Sequence, residues 1–194
     1  MSTARRFTVA VLAVAVATLL AACTGKDAVS SDPNAFRFVS ATDLGKTYPI
    51  GERKDAGLFT EKLIDGNGTY SLKDDLGSVV VINFWAAWCG PCTVESPQFD
   101  LVYRAYKSKG VKFVGIDTKD THDGGKTFVA NNDISYPNVW DEKGETALEL
   151  GKIPSRSLPF TVIVDKHGKI AVVYLDKMTA KDLEPMLDSL TAEA

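Results

Sequence analysis

Three cysteines and two histidines are all that the 194 residues contain. That is too few for a small domain stapled by disulfides, and too few for a Cys/His metal array. Positive charge is not in excess either: 22 Lys and Arg stand against 25 Asp and Glu, a net charge of −3. No basic patch offers the phosphate-neutralising surface of a nucleic-acid binder, so no nucleic-acid partner is expected. Internal repeats and low-complexity tracts are absent as well. The uncharged run from Phe7 to Leu20 is shorter than the roughly 20 apolar residues of a comfortable membrane span. What remains, 45% hydrophobic and 24% charged, is ordinary globular composition. The length fits one domain plus some extra sequence.

The first residues read as an address. Arg5 and Arg6 form a charged start, Phe7 to Leu20 an apolar core, and small residues close the segment. That order is a secretory signal, with an uncleaved signal anchor as the alternative. Leu20-Ala21-Ala22-Cys23 resembles a bacterial lipobox. The resemblance implies that Cys23 is lipidated and becomes the mature N-terminus, where two or more acyl chains anchor stably. Arg5-Arg6 also hints at twin-arginine export, although the flanking residues match poorly. The expected division is a signal peptide at 1–22, a lipidated N-terminus and polar tether at 23–54, and a folded domain at 55–194. Ser30, Ser31, Asp32 and Pro33 give the tether its polar character. The expected location is extracytoplasmic, lipid-anchored to the bacterial cell membrane.

Strand and helix signals alternate along the folded part. Leu58 to Ile64 and Thr69 to Leu72 flank Asp65-Gly66-Asn67-Gly68, which predicts a β-hairpin. Val79 to Trp85 is almost continuously apolar, the pattern of a strand covered on both faces. A helix is expected from about Cys92 to Lys109 and a second buried strand from Val111 to Asp117. Gly124 to Asn132 reads as helix, and Glu145 to Leu150 weakly so. Phe160 to Asp165 and Ile170 to Leu175 form a second hairpin around Lys166-His167-Gly168. A last helix spans Ala180 to Leu190, with Thr179 as its N-cap and Pro185 inside it. The order implies an α/β sandwich with a mixed sheet.

The chemistry concentrates at Trp88-Cys89-Gly90-Pro91-Cys92. Residues i and i+3 at a helix start are close enough for disulfide geometry. At the helix N-terminus the backbone amides and the macrodipole favour a thiolate, so Cys89 is the expected nucleophile. Cys92, one turn inside, resolves the mixed disulfide. Pro91 fits the first turn, where its missing N–H has no partner to lose. The alternatives are a structural disulfide, half of a zinc site completed by His122 and His167, or two inert thiols. A loop this small constrains the unfolded chain little, zinc would need both histidines from turn-like segments, and free thiols are unusual in an exported protein.

Phe84-Trp85-Ala86-Ala87-Trp88-Cys89-Gly90-Pro91-Cys92 resembles the thioredoxin active-site segment. Pro97 matches the proline of the thioredoxin active-site helix. Leu158-Pro159-Phe160-Thr161 resembles the loop that carries the family's cis-proline. The resemblance covers about Gly57 onward. It implies a thioredoxin-like three-layer sandwich, with helices on both sides of a central mixed sheet and an extra N-terminal hairpin. Pro159 is then expected beside the cysteines. Trp88, Gly90, Pro91, Leu158 and Pro159 are the expected substrate-binding residues. Where thioredoxin has a buried aspartate six residues before the first cysteine, this chain has Asn83. Together with the extra hairpin and Glu95, this resembles the membrane-tethered TlpA/ResA/DsbE-type proteins. In that group an acid three residues after the second cysteine belongs to the active site, and Glu95 matches it.

The helix pattern bears on Glu95 independently. Cys92, Glu95, Phe99, Val102 and Tyr106 fall on one helical face whose other members are apolar. A carboxyl there is expected to be desolvated, with a raised pKa, and to exchange protons with the cysteines. The competing reading is a solvated first-turn Glu. Trp85 reads as core, and Trp88 as a shield and docking surface for the redox pair. The charges between Lys119 and Asp123 read as a solvated loop.

The leading expectation is a thiol–disulfide oxidoreductase working as a protein disulfide reductase. By family resemblance, its substrates include apocytochrome c, and a transmembrane CcdA/DsbD-type protein re-reduces it. No cofactor or metal is implied, because the dithiol carries the electrons. The alternatives are a disulfide-forming oxidase of secreted proteins and a non-catalytic lipoprotein binding module. A copper chaperone would want CxxxC and a peroxidase a PxxxTxxC-like pocket; neither pattern is found.

Overall fold

The computed structural model describes residues 45–153 and 157–193. The signal-like segment, Cys23 and the tether up to residue 44 lie outside the described residues. Eight strands and four helices follow in chain order: β1 Gly45–Thr47, β2 Thr60–Lys62, β3 Thr69–Ser71, β4 Val79–Trp85, α1 Gly90–Tyr106, β5 Val111–Thr118, α2 His122–Asn131, β6 Asn138–Asp141, α3 Thr146–Gly151, β7 Phe160–Val164, β8 Ile170–Tyr174 and α4 Ala180–Ala192. None of the helices among the described residues is long and apolar enough to cross a membrane.

Six strands make one sheet in the order β1-β8-β7-β4-β5-β6. β4, β5 and β6 run parallel; β7, β8 and β1 are each antiparallel to their neighbours. The sheet is therefore mixed, as the alternation of elements predicts. Its central strand, β4, is buried along its whole length. Val79, Val81 and Trp85 face one core with Phe99 and Val102 of α1 and Leu183 and Leu187 of α4. Val80, Ile82 and Phe84 face the other, with Leu72, Leu150 and Ile153. A strand with both faces covered has no use for polar alternation, which explains the apolar run. Each of its large side chains contributes roughly 1.5–3 kcal/mol by leaving water. Phe84 stacks on Phe160 and Trp85 on Phe128, with ring centroids 4.2 and 4.4 Å apart.

β2 and β3 pair as the expected hairpin, with positive φ at Gly66 and Gly68. The hairpin meets the main sheet through a bridge between Leu63 and Val139. α1 runs through Pro97, and α4 runs through Pro185. Thr179 and Asp182 close a capping box at the start of α4.

The structure corrects one expectation and adds one strand that was not expected. The sequence places the tether up to residue 54 and the domain from 55, yet β1 and the segment after it belong to the fold. β1 pairs with β8 through Gly45–Tyr174 and Lys46–Val173. Arg53 is buried; its Nη1 donates to Asp165 at 2.9 Å and to Glu193 at 2.5 Å. Strand pairing uses backbone groups that any side chain provides, and these acids lie far along the chain, so no local pattern announces either contact. β6 has no counterpart in the sequence reading, because four residues are too few to show a period.

Candidate active site

β4 delivers the chain to the upper end of the sheet, and α1 carries it away. The turn between them holds Ala86 to Cys89. Cys89 is the N-cap of α1, and its Sγ accepts a hydrogen bond from the Cys92 amide at 3.3 Å. Cys89 and Cys92 form a disulfide, with Cα atoms 5.3 Å apart. Cys92 is fully buried and Cys89 is 4% exposed, whereas Gly90 and Pro91 between them are exposed. The pair therefore sits at the helix N-terminus, where amide dipoles favour a thiolate on the first cysteine.

The helical face predicted from spacing is real: Cys92, Glu95, Phe99, Val102 and Tyr106 are all buried. Ser96 and Asp100 are buried as well and widen it. Glu95 has no solvent exposure. Its Oε1 accepts from the Met178 amide at 2.7 Å, and its Oε2 from the Asn83 side-chain amide at 2.8 Å. Asn83 also donates to the Thr161 hydroxyl at 3.2 Å. Burial pushes the Glu95 carboxyl up to about 7, against the two hydrogen bonds that hold it down. The acid is thus neutral below that pH and charged above it.

The peptide bond between Leu158 and Pro159 is cis. Pro159 is buried, and Leu158 packs against the apolar cluster that contains both cysteines. Trp88 is 63% exposed, and its indole N–H donates to the Lys119 carbonyl at 3.2 Å. Trp88, Leu158, Phe84, Phe160, Thr118 and Lys119 line a cleft of about 330 Å³ beside the redox turn. Of the expected substrate-binding residues, Trp88 and Leu158 meet in this cleft, and Gly90 and Pro91 lie at the exposed start of α1. Cys23 lies outside the described residues. His122 packs its ring against Trp140, with centroids 5.1 Å apart.

Sequence reasoning missed three contributors. Met178 acts through its amide, and Thr161 through a hydroxyl reached only across the β4–β7 pairing. The third lies in the stretch from Lys119 to Asp123, a solvated loop as expected, in which half-buried Asp120 nevertheless has structural partners. The Asp120 carboxylate accepts from the Ala87 amide at 2.5 Å, and its carbonyl accepts from the Trp140 indole at 2.9 Å. An acid in a polar stretch gives no sign of a backbone partner 33 residues away.

A mixed sheet, a helix capped by one cysteine of a CxxC pair and a cis-proline loop define a thioredoxin-like thiol–disulfide oxidoreductase. Known proteins agree. The model of the AhpC/TSA family matches residues 53–173. The thiol-disulfide oxidoreductase ResA of Bacillus thuringiensis subsp. konkukian is 35% identical over 138 residues, covering 71% of this chain and 78% of that protein. Among solved structures, a DsbF homologue from Corynebacterium diphtheriae superposes with a TM-score of 0.74 at 32% identity, covering 80% of this chain and 99% of that one. A secreted thiol-disulfide isomerase from Corynebacterium glutamicum gives 0.75 at 27% identity, covering 82% and 99%. The chain belongs to the AhpC/TSA family, within its TlpA/ResA/DsbE-type thiol–disulfide oxidoreductases.

Proposed function

We propose that the protein is an extracytoplasmic, lipid-anchored reductase of protein disulfides, of the kind that keeps apocytochrome c cysteines reduced for haem attachment. The observation that carries the reading is the buried Glu95, one helical turn from Cys92 with its carboxyl raised to about 7. In the reduced enzyme the Cys89 thiolate attacks a substrate disulfide. One substrate sulfur leaves as a thiolate, and a mixed disulfide forms. Cys92 then gives up its proton and attacks Cys89, releasing the second substrate thiol and leaving the Cys89–Cys92 disulfide. Two electrons pass to the substrate. Glu95 serves as the acceptor of the Cys92 proton, a role suited to a carboxyl that titrates near neutrality.

Trp88, Gly90, Pro91, Leu158 and Pro159 form the substrate-facing surface in this reading. The cleft between Trp88 and Leu158 supports it. A transmembrane donor of CcdA/DsbD type restores the dithiol. Residues 1–22 are the signal peptide, Cys23 carries the lipid, and the chain up to 44 is the tether. The neighbour described as secreted supports an export route.

The test is the reduction potential of the Cys89–Cys92 couple, measured by equilibration in thiol buffers with C89A as control. A value at or below about −250 mV supports the reductase. One above about −180 mV turns the assignment to a disulfide-forming oxidase. No reversible couple leaves only a binding module.

A further inference from the structure

A second acid lies buried on the other flank of the redox turn. Asp117, one residue before the end of β5, lies directly beside Trp85 in the parallel register. It is fully buried, and neither carboxyl oxygen receives a hydrogen bond from any donor among the described residues. The molecule makes room for it on α2: a Cβ at Gly125 would stand 1.9 Å from Asp117 Oδ2. Its polar neighbour is another acid, Asp120: a Cβ at Gly124, the residue before Gly125 on α2, would stand 3.2 Å from Asp120 Oδ1. The Asp120 carboxylate is already an acceptor, from the amides of Ala87 at 2.5 Å and Thr121 at 2.6 Å. Ala87 stands two residues before Cys89.

A buried carboxylate with no donor is costly. Two adjacent carboxylates are costlier, and a single shared proton relieves both problems. We propose that Asp117 is a protonated carboxylic acid that donates to the Asp120 carboxylate, and that this pair is a positioning element holding the backbone in front of Cys89. Protonated Asp117 becomes a donor, so one of its bare oxygens gains a partner and Asp120 keeps its negative charge for the Ala87 amide. Loss of the proton puts two negative charges side by side and loosens that hold.

The surroundings favour the neutral acid. The charges that act on Asp117 are Asp120 on the following turn and Asp141 at the end of β6, both negative. α2 presents Gly125 to it, and Ile64 of the hairpin packs beside the same spot. Among the described residues no cation contributes. Burial first, then Asp120 and Asp141, raise the Asp117 carboxyl to about 8. The consequence for Cys89 rests on the thiol–disulfide reading; the acid pair itself does not.

The experiment is an NMR pH titration of the full chain, reading the Asp117 side-chain carboxyl and the Ala87 amide from about pH 5.5 to 9.5, a window that lies above the ordinary carboxyl and spans the raised one. The expected result is an Asp117 midpoint above neutrality, followed at the same midpoint by the Ala87 amide. D117N should flatten the Ala87 step, because its amide donates to Asp120 at every pH. D120N, measured as a second variant, should lower the Asp117 midpoint by removing the like charge. E95Q should leave the Ala87 step in place. Alkylation of Cys89 in the reduced protein should show a matching inflection that D117N removes. An Asp117 carboxyl ionised across the whole range, or an Ala87 step that survives in D117N, overturns the proposal. Absence of a reversible Cys89–Cys92 couple overturns the redox reading alone, since both titrations remain readable.

Discussion

Glu95 and Asp117 are both buried acids on the α1 face of the sheet, and both titrate above the usual carboxylate range. Their surroundings differ. Glu95 has a donor on each oxygen, from Met178 and Asn83. Asp117 has none. Donors favour the charged form, and their absence favours the neutral one. Burial outweighs two hydrogen bonds at Glu95 and brings it to about 7; with a like charge and no donors, Asp117 reaches about 8. The lesson is that burial decides the direction, and hydrogen bonding decides how far from neutrality the acid rests.

The sharpest way to break the comparison is to remove one acid from the cycle. With C89A as the zero point, E95Q should abolish the inflection near pH 7 in the rate of Cys92-dependent release of the mixed disulfide. Stopped-flow measurement on a trapped substrate reads this. The new amide is accommodated because Asn83 Oδ1 has no partner. Turning the Asn83 side-chain amide over presents that oxygen to the N–H that E95Q introduces.

Next is stability. The folded carboxyl of Glu95 is raised, so the native state binds more protons than the unfolded chain between the ordinary carboxylate range and pH 7. The Glu95 share of the stability should therefore fall as pH rises across that window and level off above it. The loss is at most about 3.5 kcal/mol. Urea unfolding of the oxidised protein at about pH 5 and about pH 8 checks this: E95Q should reduce the difference, and the part that remains should be the share of Asp117, whose carboxyl is raised as well.

A smaller effect comes from N83D, which gives Glu95 an acidic neighbour in place of a donor. The Glu95 midpoint should rise by about one pH unit or more, and the pair should titrate in two steps. Side-chain carboxyl NMR reads both. The smallest effect is that of W88A. Its exposed ring contributes little to the fold, so stability should change by less than about 0.5 kcal/mol. KM for a disulfide peptide should rise while the redox potential stays put.

What was legible in the sequence follows from range. β4 announces itself because a strand buried on both faces must be apolar throughout. The Cys92–Glu95–Phe99 stripe announces itself because a helix repeats locally. Asn83 stands out as a departure, and its contact with Glu95 explains it. Asp120 and Asp117 are invisible as a pair: their meaning lies in Ala87, Gly125 and Ile64, reached only after folding. Arg53 falls to the tether in the sequence for the same reason, since its partners Asp165 and Glu193 are 112 and 140 residues away.

That arginine also has a mechanical side. In one knot it ties the chain just after β1 to the β7–β8 turn and to the end of α4. β1 itself lies antiparallel along β8 at the edge of the sheet. If the domain hangs from a lipid at Cys23, any pull arrives through Gly45. A pull along β1 loads its ladder bonds together, in shear, and the Arg53 knot stands behind them. The redox turn, at the end of β4, lies on the far side of β8 and β7 from that strand.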